Sequence, residues 1–179
     1  MNIFLTSDIH FNHVNILKYC NRPFKDVSEM NEVIIRNFNS VVHSTDTVYH
    51  LGDFCFGIHN DLSIVENFIR RLNGNWIFIE GNHDKHLKKV VQTHKIYEFN
   101  YKKTPVTLCH FAMKLWNHSH HGSIHCYGHS HGTLKEDQYK SMDVGVDTHN
   151  YFPWHMDEVM ARMEKKTVHK IDHHGNETN

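Results

Sequence analysis

Five short stretches of this 179-residue chain bring together the side chains that hold cations and move protons. They are Asp8-Ile9-His10, Gly52-Asp53, Gly81-Asn82-His83-Asp84, the single His110, and Gly128-His129-Ser130-His131. Each follows a short apolar run, respectively Ile3-Phe4-Leu5, Val48-Tyr49-His50-Leu51, Trp76-Ile77-Phe78-Ile79, Val106-Thr107-Leu108-Cys109 and Ile124-His125-Cys126-Tyr127. An apolar run that stops at glycine or a polar pair reads as a buried strand delivering its tip into a crevice. Glycine at such a tip permits a tight approach of backbones. Taken together, Asp8, His10, Asp53, Asn82, His110, His129 and His131 offer seven oxygen and nitrogen ligands and no thiolate. One ion does not need seven such ligands, whereas two ions sharing a carboxylate do. Asp53 is the natural bridge, because it comes alone from a middle strand.

The elements that must position these tips are readable in order. Asn2–Thr6 is the first strand, and Phe11–Cys20 holds a short helix. Asp26 and Glu29 have capping-box spacing, with Met30, Val33, Ile34, Phe38 and Val41 following at helical intervals. A second strand, Thr47–Leu51, precedes an amphipathic helix carrying Leu62, Val65, Phe68, Ile69 and Leu72, with Asn73-Gly74 as its stop. Trp76–Glu80 is the third strand, and Asp84–Thr93 reads as another short helix. Lys95–Tyr101 and Thr104–Cys109 form a hairpin around Lys102-Lys103. A loop over Trp116–Gly122 holds His118, His120 and His121, and strands over Ser123–Tyr127 and Lys140–Val146 follow. Pro153 introduces a last helix whose Met156, Val159, Met160 and Met163 share one face and read as core packing. Strand–helix alternation followed by hairpins predicts a mixed α/β layered fold. The expected organisation is a single domain over 1–168 and a polar tail over 169–179 that contains His173-His174.

Composition sets the outer limits. The chain is 39% hydrophobic and 22% charged, ordinary for a globular protein. A net charge of −1 supplies no bulk attraction to nucleic acid or to an anionic membrane. No signal pattern and no long apolar segment appears, which points to a cytoplasmic protein. Cys20, Cys55, Cys109 and Cys126 show no Cys-x-x-Cys spacing and fit a reducing compartment. The chain has 20 histidines, more than half of which read as surface or loop residues.

The series D-x-H, G-D, G-N-H-D, H and G-H-x-H, in that order from Asp8 to His131, resembles the calcineurin-like metallophosphoesterase superfamily. It looks most like the small single-domain prokaryotic and phage members. The resemblance implies a two-sheet sandwich flanked by helices, with a dinuclear site at the strand ends. It assigns one metal to Asp8, His10, Asp53 and His131, and the other to Asp53, Asn82, His110 and His129. His83 is then the catalytic histidine, with Asn82 ligating while His83 turns toward substrate. The implied chemistry is in-line attack on phosphorus by a hydroxide bridging two divalent ions. Carboxylate, amide oxygen and imidazole ligands make Mn²⁺ the preferred metal, with Fe, Zn or Ni also fitting.

Departures from the family pattern narrow the substrate. The serine/threonine phosphatases follow the second motif with Asp-Arg, where this chain has Phe56 and Gly57, which argues against a phosphoprotein substrate. Ala112 replaces a proline found in many relatives, with no expected consequence. A small phosphate ester of nucleotide type is expected, and an open site without a capping domain favours a phosphodiester. The alternatives are a phosphomonoesterase on the same site and a non-catalytic scaffold on the same fold. Arg22 and His13 are candidate substrate residues, guanidinium being well suited to phosphate. Asn12 and the 118–121 loop are further candidates, with a solvated loop the stronger reading for the latter. His50 and His125 read as packed strand residues. Asp143 and Asp147 either orient a ligand histidine or serve as strand ends, and His149-Asn150 has no assigned role. Oligomeric state is not readable.

Overall fold

Asp26 starts the longest helix as its spacing predicts: its carboxylate accepts from the Glu29 N–H at 2.8 Å, capping α2 (Val27–Val41). Met30, Ile34 and Phe38 on that helix are buried, joined by Ile35 and Asn31. The computed structural model describes residues 1–56, 61–135, 139–168 and 170–172. His173-His174, like Gly57, therefore lies outside the described residues.

The remaining elements are β1 (Ile3–Thr6), α1 (Ile16–Tyr19), β2 (Thr47–His50), α3 (Ser63–Arg71), β3 (Asn75–Ile79) and β4 (Thr93–His94). They continue with β5 (Ile96–Tyr101), β6 (Thr104–Cys109), β7 (Ile124–Tyr127), β8 (Ser141–Asp143), β9 (Trp154–His155) and α4 (Met156–Met163). Two mixed sheets result, ordered β4-β3-β2-β1-β9 and β5-β6-β7-β8. The parallel register Thr6↔His50 and His50↔Phe78 aligns the carboxyl ends of β1, β2 and β3. Tyr127↔Asp143 similarly aligns the ends of β7 and β8.

Alternation along the strands divides the core. Leu5, Tyr49 and Ile79 face the second sheet, where they meet Val106, Leu108, Ile124, Cys126 and Met142. Met156, Val159 and Met163 of α4 close the same layer, as the methionine stripe predicts. Ile9, Phe11, Phe54 and Phe78 pack instead with Met30, Ile34, Phe38 and Phe68 from α2 and α3. The fold is thus an α/β layered sandwich with the strand tips gathered at one end.

Two expectations need correction. The segment expected as a helix over 84–93 holds only a 3-10 turn at Leu87–Lys89, and Thr93-His94 is taken by parallel pairing with Phe78 and Ile79. The strand expected over 140–146 stops at Asp143, whose carboxylate accepts from the Gly145 N–H at 2.7 Å and turns the chain. The loop over 116–122 contains a 3-10 turn at Ser119–His121, and Trp116 packs with its ring centroid 5.4 Å from that of His125.

His50 and His125 are fully buried, as expected of packed strand residues. Burial pushes the His50 imidazole down to about 3, with a smaller push from His110. Burial also lowers His125 to about 4, against the opposing carbonyls of Thr107 and Phe111. An imidazole that stays neutral in the fold but titrates near 6.5 when unfolded gives its full stability above about pH 6.5. That stability falls by about 1.4 kcal/mol per pH unit for each ring as the pH drops toward the folded pKa. Proton NMR should find both rings unchanged between about pH 8 and about pH 5. Titration of either ring in that window would contradict the buried assignment.

Candidate metal centre

The β1–β2 pairing runs on past the strand ends and ties two polar loops side by side. Asp8 N–H donates to Gly52 O at 2.9 Å, His10 N–H to Asp53 O at 3.0 Å, and Phe11 N–H to Phe54 O at 2.9 Å. Within these loops the backbone enters the left-handed region at Asp8 (φ 57), His10 (φ 55) and Asp53 (φ 61). His129 (φ 66) and His131 (φ 47) do the same after β7. Left-handed residues other than glycine carry a strain of order 1–3 kcal/mol each and cluster where function demands them. Five of the seven ligand-type residues from the sequence share this conformation.

The strain converges these side chains on two groups. Asp8, His10 and His131 bring ligand atoms within 4.8 Å of one another, and so do Asp53, His110 and His129. Asp53 Oδ2 stands between them, 3.6 Å from His10 Nε2 and 3.6 Å from His110 Nε2. Asn82 Oδ1 joins the second group, 3.0 Å from His110 Nε2. Atoms bound at roughly 2.1 Å to a common ion stand about 3–3.5 Å apart, so these separations suit a cation at each group. His110 Nδ1 lies 2.7 Å from Leu51 O, which takes that ring proton and leaves Nε2 as the free lone pair.

The first group is unsatisfied without a cation. Asp8 Oδ1 and His10 Nε2 are buried and lack a hydrogen-bond partner. Burial pushes the Asp8 carboxyl up to about 8, with Asp143 and Asp53 adding to the rise and His131 opposing it. Burial likewise holds His10 well below the usual imidazole range, helped by His131 and Arg22. A buried carboxylate facing a buried imidazole lone pair is costly alone and favourable around a divalent ion. The donor set fits.

Carboxylates outside the ligand set hold the loops in place. Asp84 accepts from the N–H groups of Asp53 (2.7 Å), Phe54 (3.0 Å) and Gly81 (2.9 Å), locking the β2 loop to the β3 loop. Asp143 accepts from Gly132 N–H at 2.9 Å, and the ligand carboxylate of Asp8 does the same for His129 N–H at 2.8 Å. Asp147 accepts from His131 Nδ1–H at 2.7 Å, which directs His131 Nε2 toward Asp8. Burial depresses the His131 pKa, but hydrogen bonds to Asp147 and Cys20 and the nearby Asp8 outweigh it, bringing it up to about 10. Gly128 is required by space alone, since a Cβ there would collide with Ser7 Oγ and sit 2.5 Å from Asp8 Oδ2.

Arg22, a candidate for either a substrate clamp or a surface ion pair, makes an ion pair, but a buried one. Its guanidinium makes paired bonds to Asp147 (2.8 and 2.7 Å) and donates to the carbonyls of Asp8 (2.7 Å) and Ile9 (2.9 Å). With no side-chain exposure it faces the loop backbone rather than the open site. Arg22 thus braces Asp147, which in turn orients His131. Asp147→Asn should weaken metal binding by about 10–100-fold, the usual effect of losing such an orienting carboxylate. A Mn²⁺ titration checks this, and unchanged affinity would remove Asp147 from the metal account.

Other expected residues divide. His13 stays at the site, with Nδ1 3.4 Å from His10 Nδ1 and its ring stacked on Phe56 at 4.0 Å. His83 is exposed beside them, 5.6 Å from the His10 ring, and its N–H donates to Asp53 Oδ1 at 2.9 Å. Asn12 is engaged with Asn31 of α2 at 2.9 Å. The 118–121 histidines lie away from the cluster, and His118 lines a groove with Glu98 and Thr107 on the second sheet. A cavity of about 600 Å³ opens over the first group and includes His10, His13, Asp53, His83, His129 and His131. Tyr19 and Phe56 also line it, neither of them among the site residues expected from the sequence.

A two-sheet layered fold with paired oxygen–nitrogen ligand clusters at its strand tips defines a metal-binding hydrolase. The chain belongs to the calcineurin-like phosphoesterase family, which matches residues 1–178. Its members are metal-dependent phosphoester hydrolases. A protein of Methanocaldococcus jannaschii described as uncharacterized, MJ1445, is 39% identical over 168 residues, covering 93% of each chain. The crystal structure of AQ665 from Aquifex aeolicus, a protein of unknown function, superimposes with a TM-score of 0.71 at 23% identity, over 90% of this chain and 98% of that one. Yfce, a phosphoesterase from E. coli, is more distant, with a TM-score of 0.43 and 19% identity over 81% of this chain and 78% of that chain. Among the described residues, no helix is long and apolar enough to cross a membrane.

Proposed function

We propose that this chain is a dinuclear metal-dependent phosphodiesterase acting on a small nucleotide-type ester. The observation that carries the reading is the position of Asp53 Oδ2, equidistant at 3.6 Å from an imidazole of each ligand group. Asp8, His10, Asp53 and His131 would hold one ion, and Asp53, Asn82, His110 and His129 the other. Bound there, two divalent ions, Mn²⁺ above Fe, Zn or Ni, supply Lewis-acid polarisation of phosphoryl oxygens and lower the pKa of water. His83 faces the cavity and holds a proton for the oxygen that leaves phosphorus, a contribution of about 10²–10⁴-fold. The Asp53 carboxylate fixes the His83 backbone, so the acid and the ions share one reference point.

The wide cavity supports a diester over a monoester, because it leaves room for a second substituent on phosphorus. Free cysteines at 20, 55, 109 and 126 support a reducing, cytoplasmic setting. The test is hydrolysis of bis-p-nitrophenyl phosphate and p-nitrophenyl phosphate by metal-stripped protein given back Mn²⁺. Faster turnover of the diester is expected. Preference for the monoester would reassign the substrate class, and no turnover with any of the four metals would overturn the reading.

A further inference from the structure

The cavity beside His83 has two unlike halves. One is the ligand cluster; the other is a wall built largely of the rings of His13, Tyr19 and Phe56. Tyr19 is 74% exposed and Phe56 37% exposed, leaving aromatic surface open beside the ligand cluster. Both line the cavity that contains His83. His13 lies against one face of Phe56 at a centroid distance of 4.0 Å and an interplanar angle of 19°. It also meets Tyr19 edge-on at 6.1 Å. The three rings therefore form a continuous aromatic surface, with the Phe56 and His83 ring centroids 5.5 Å apart.

The remainder of the wall mixes Ile16 and Cys20 with the uncharged polar residues Asn15, Ser130 and Thr133. Asn15 offers an amide and Thr133 a hydroxyl at the rim. Among the described residues lining this cavity there is no lysine or arginine. The Arg22 guanidinium is turned into the protein against Asp147. A chain of phosphates would find no cation along this wall beyond the metal cluster itself. A flat neutral ring would find a stacking surface and hydrogen-bond partners at its edge.

Resting on the phosphoesterase reading above, we infer that Tyr19 and Phe56 form a recognition platform for a planar, uncharged heterocycle, selecting a nucleobase-bearing ester with a single phosphate over polyphosphates and plain sugar phosphates. Phosphate binds at the metal cluster while the base lies along the wall, with His13 backing Phe56. Stacking of a base on one aromatic side chain is worth about 5–100-fold in affinity.

The experiment uses the full chain loaded with Mn²⁺ and measures binding of three probes by calorimetry, alongside inhibition of bis-p-nitrophenyl phosphate hydrolysis. The probes are adenosine 5′-monophosphate, adenosine 5′-triphosphate and ribose 5-phosphate. The monophosphate should bind at least about 10-fold tighter than ribose 5-phosphate, and the triphosphate no tighter than the monophosphate. Tyr19→Ala and Phe56→Leu should shrink the gap between monophosphate and sugar phosphate, while Tyr19→Trp retains it. Tyr19 is so exposed that its truncation leaves the fold intact, which circular dichroism verifies. Equal binding of nucleotide and sugar phosphate by an active enzyme would overturn the platform and leave the phosphoesterase reading standing. Selective nucleotide binding without turnover would do the reverse. A triphosphate bound much more tightly than the monophosphate would refute the single-phosphate selection.

Discussion

Asp53→Asn should lower turnover of bis-p-nitrophenyl phosphate by at least about 10³-fold and reduce the bound metal from two ions per chain to one or none. Asparagine is the informative replacement. It tolerates the left-handed backbone at this position (φ 61) and matches aspartate in shape, so the fold is retained. What it removes is the negative charge equidistant from His10 and His110. Lewis-acid stabilisation by a bound ion is worth several kcal/mol in the transition state, and each 1.36 kcal/mol is tenfold in rate, which sets the size of the loss. Elemental analysis of the purified variant, together with its rate, checks both halves. A variant that keeps two ions and near-normal turnover would remove Asp53 from the bridging position.

His83→Ala makes the opposite pattern. The ring is exposed and contributes no core packing, and the contact that ties this residue to the cluster is its backbone N–H to Asp53 Oδ1 at 2.9 Å. Alanine keeps that N–H. Both ions should therefore stay bound while kcat falls by about 10²–10⁴-fold, the span of a lost general acid. The deficit should be larger for esters with poor leaving groups than for p-nitrophenolate, which departs without a proton. Loss of metal from this variant would show that His83 has a structural task the geometry does not assign to it. The two variants together separate holding the ions from using them.

The ligand cluster was legible because each of its parts is local. A strand followed by Asp-x-His or Gly-Asp is written in consecutive residues, and parallel pairing of β1, β2 and β3 brings those tips together. The layered α/β fold was readable for the same reason, through helical intervals in α2 and α3 and through the hairpin of β5 and β6. The braces were legible only in part: Asp147 was a candidate to orient a ligand histidine, but its pairing with Arg22 was not. Arg22 and Asp147 are 125 positions apart, and an arginine before a proline carries no local sign of whether it turns inward or outward. The same holds for Asp84, which looks like the end of a metal motif but acts through three backbone N–H groups. The segment at 84–93 misled because its composition suits a helix, while the open edge of β3 captures Thr93-His94. Tyr19 and Phe56 carried only an indirect signal: Phe56 stands where related phosphatases have Asp, and nothing local tells whether an aromatic ring caps a core or lines a cavity.

The most direct measurement of the central claim is the metal stoichiometry of the stripped protein during Mn²⁺ titration, followed in parallel with phosphodiester hydrolysis. Binding should saturate at two ions per chain, with turnover rising as the second site fills. Saturation at one ion with full activity, or hydrolysis that persists without any metal, would contradict the dinuclear account.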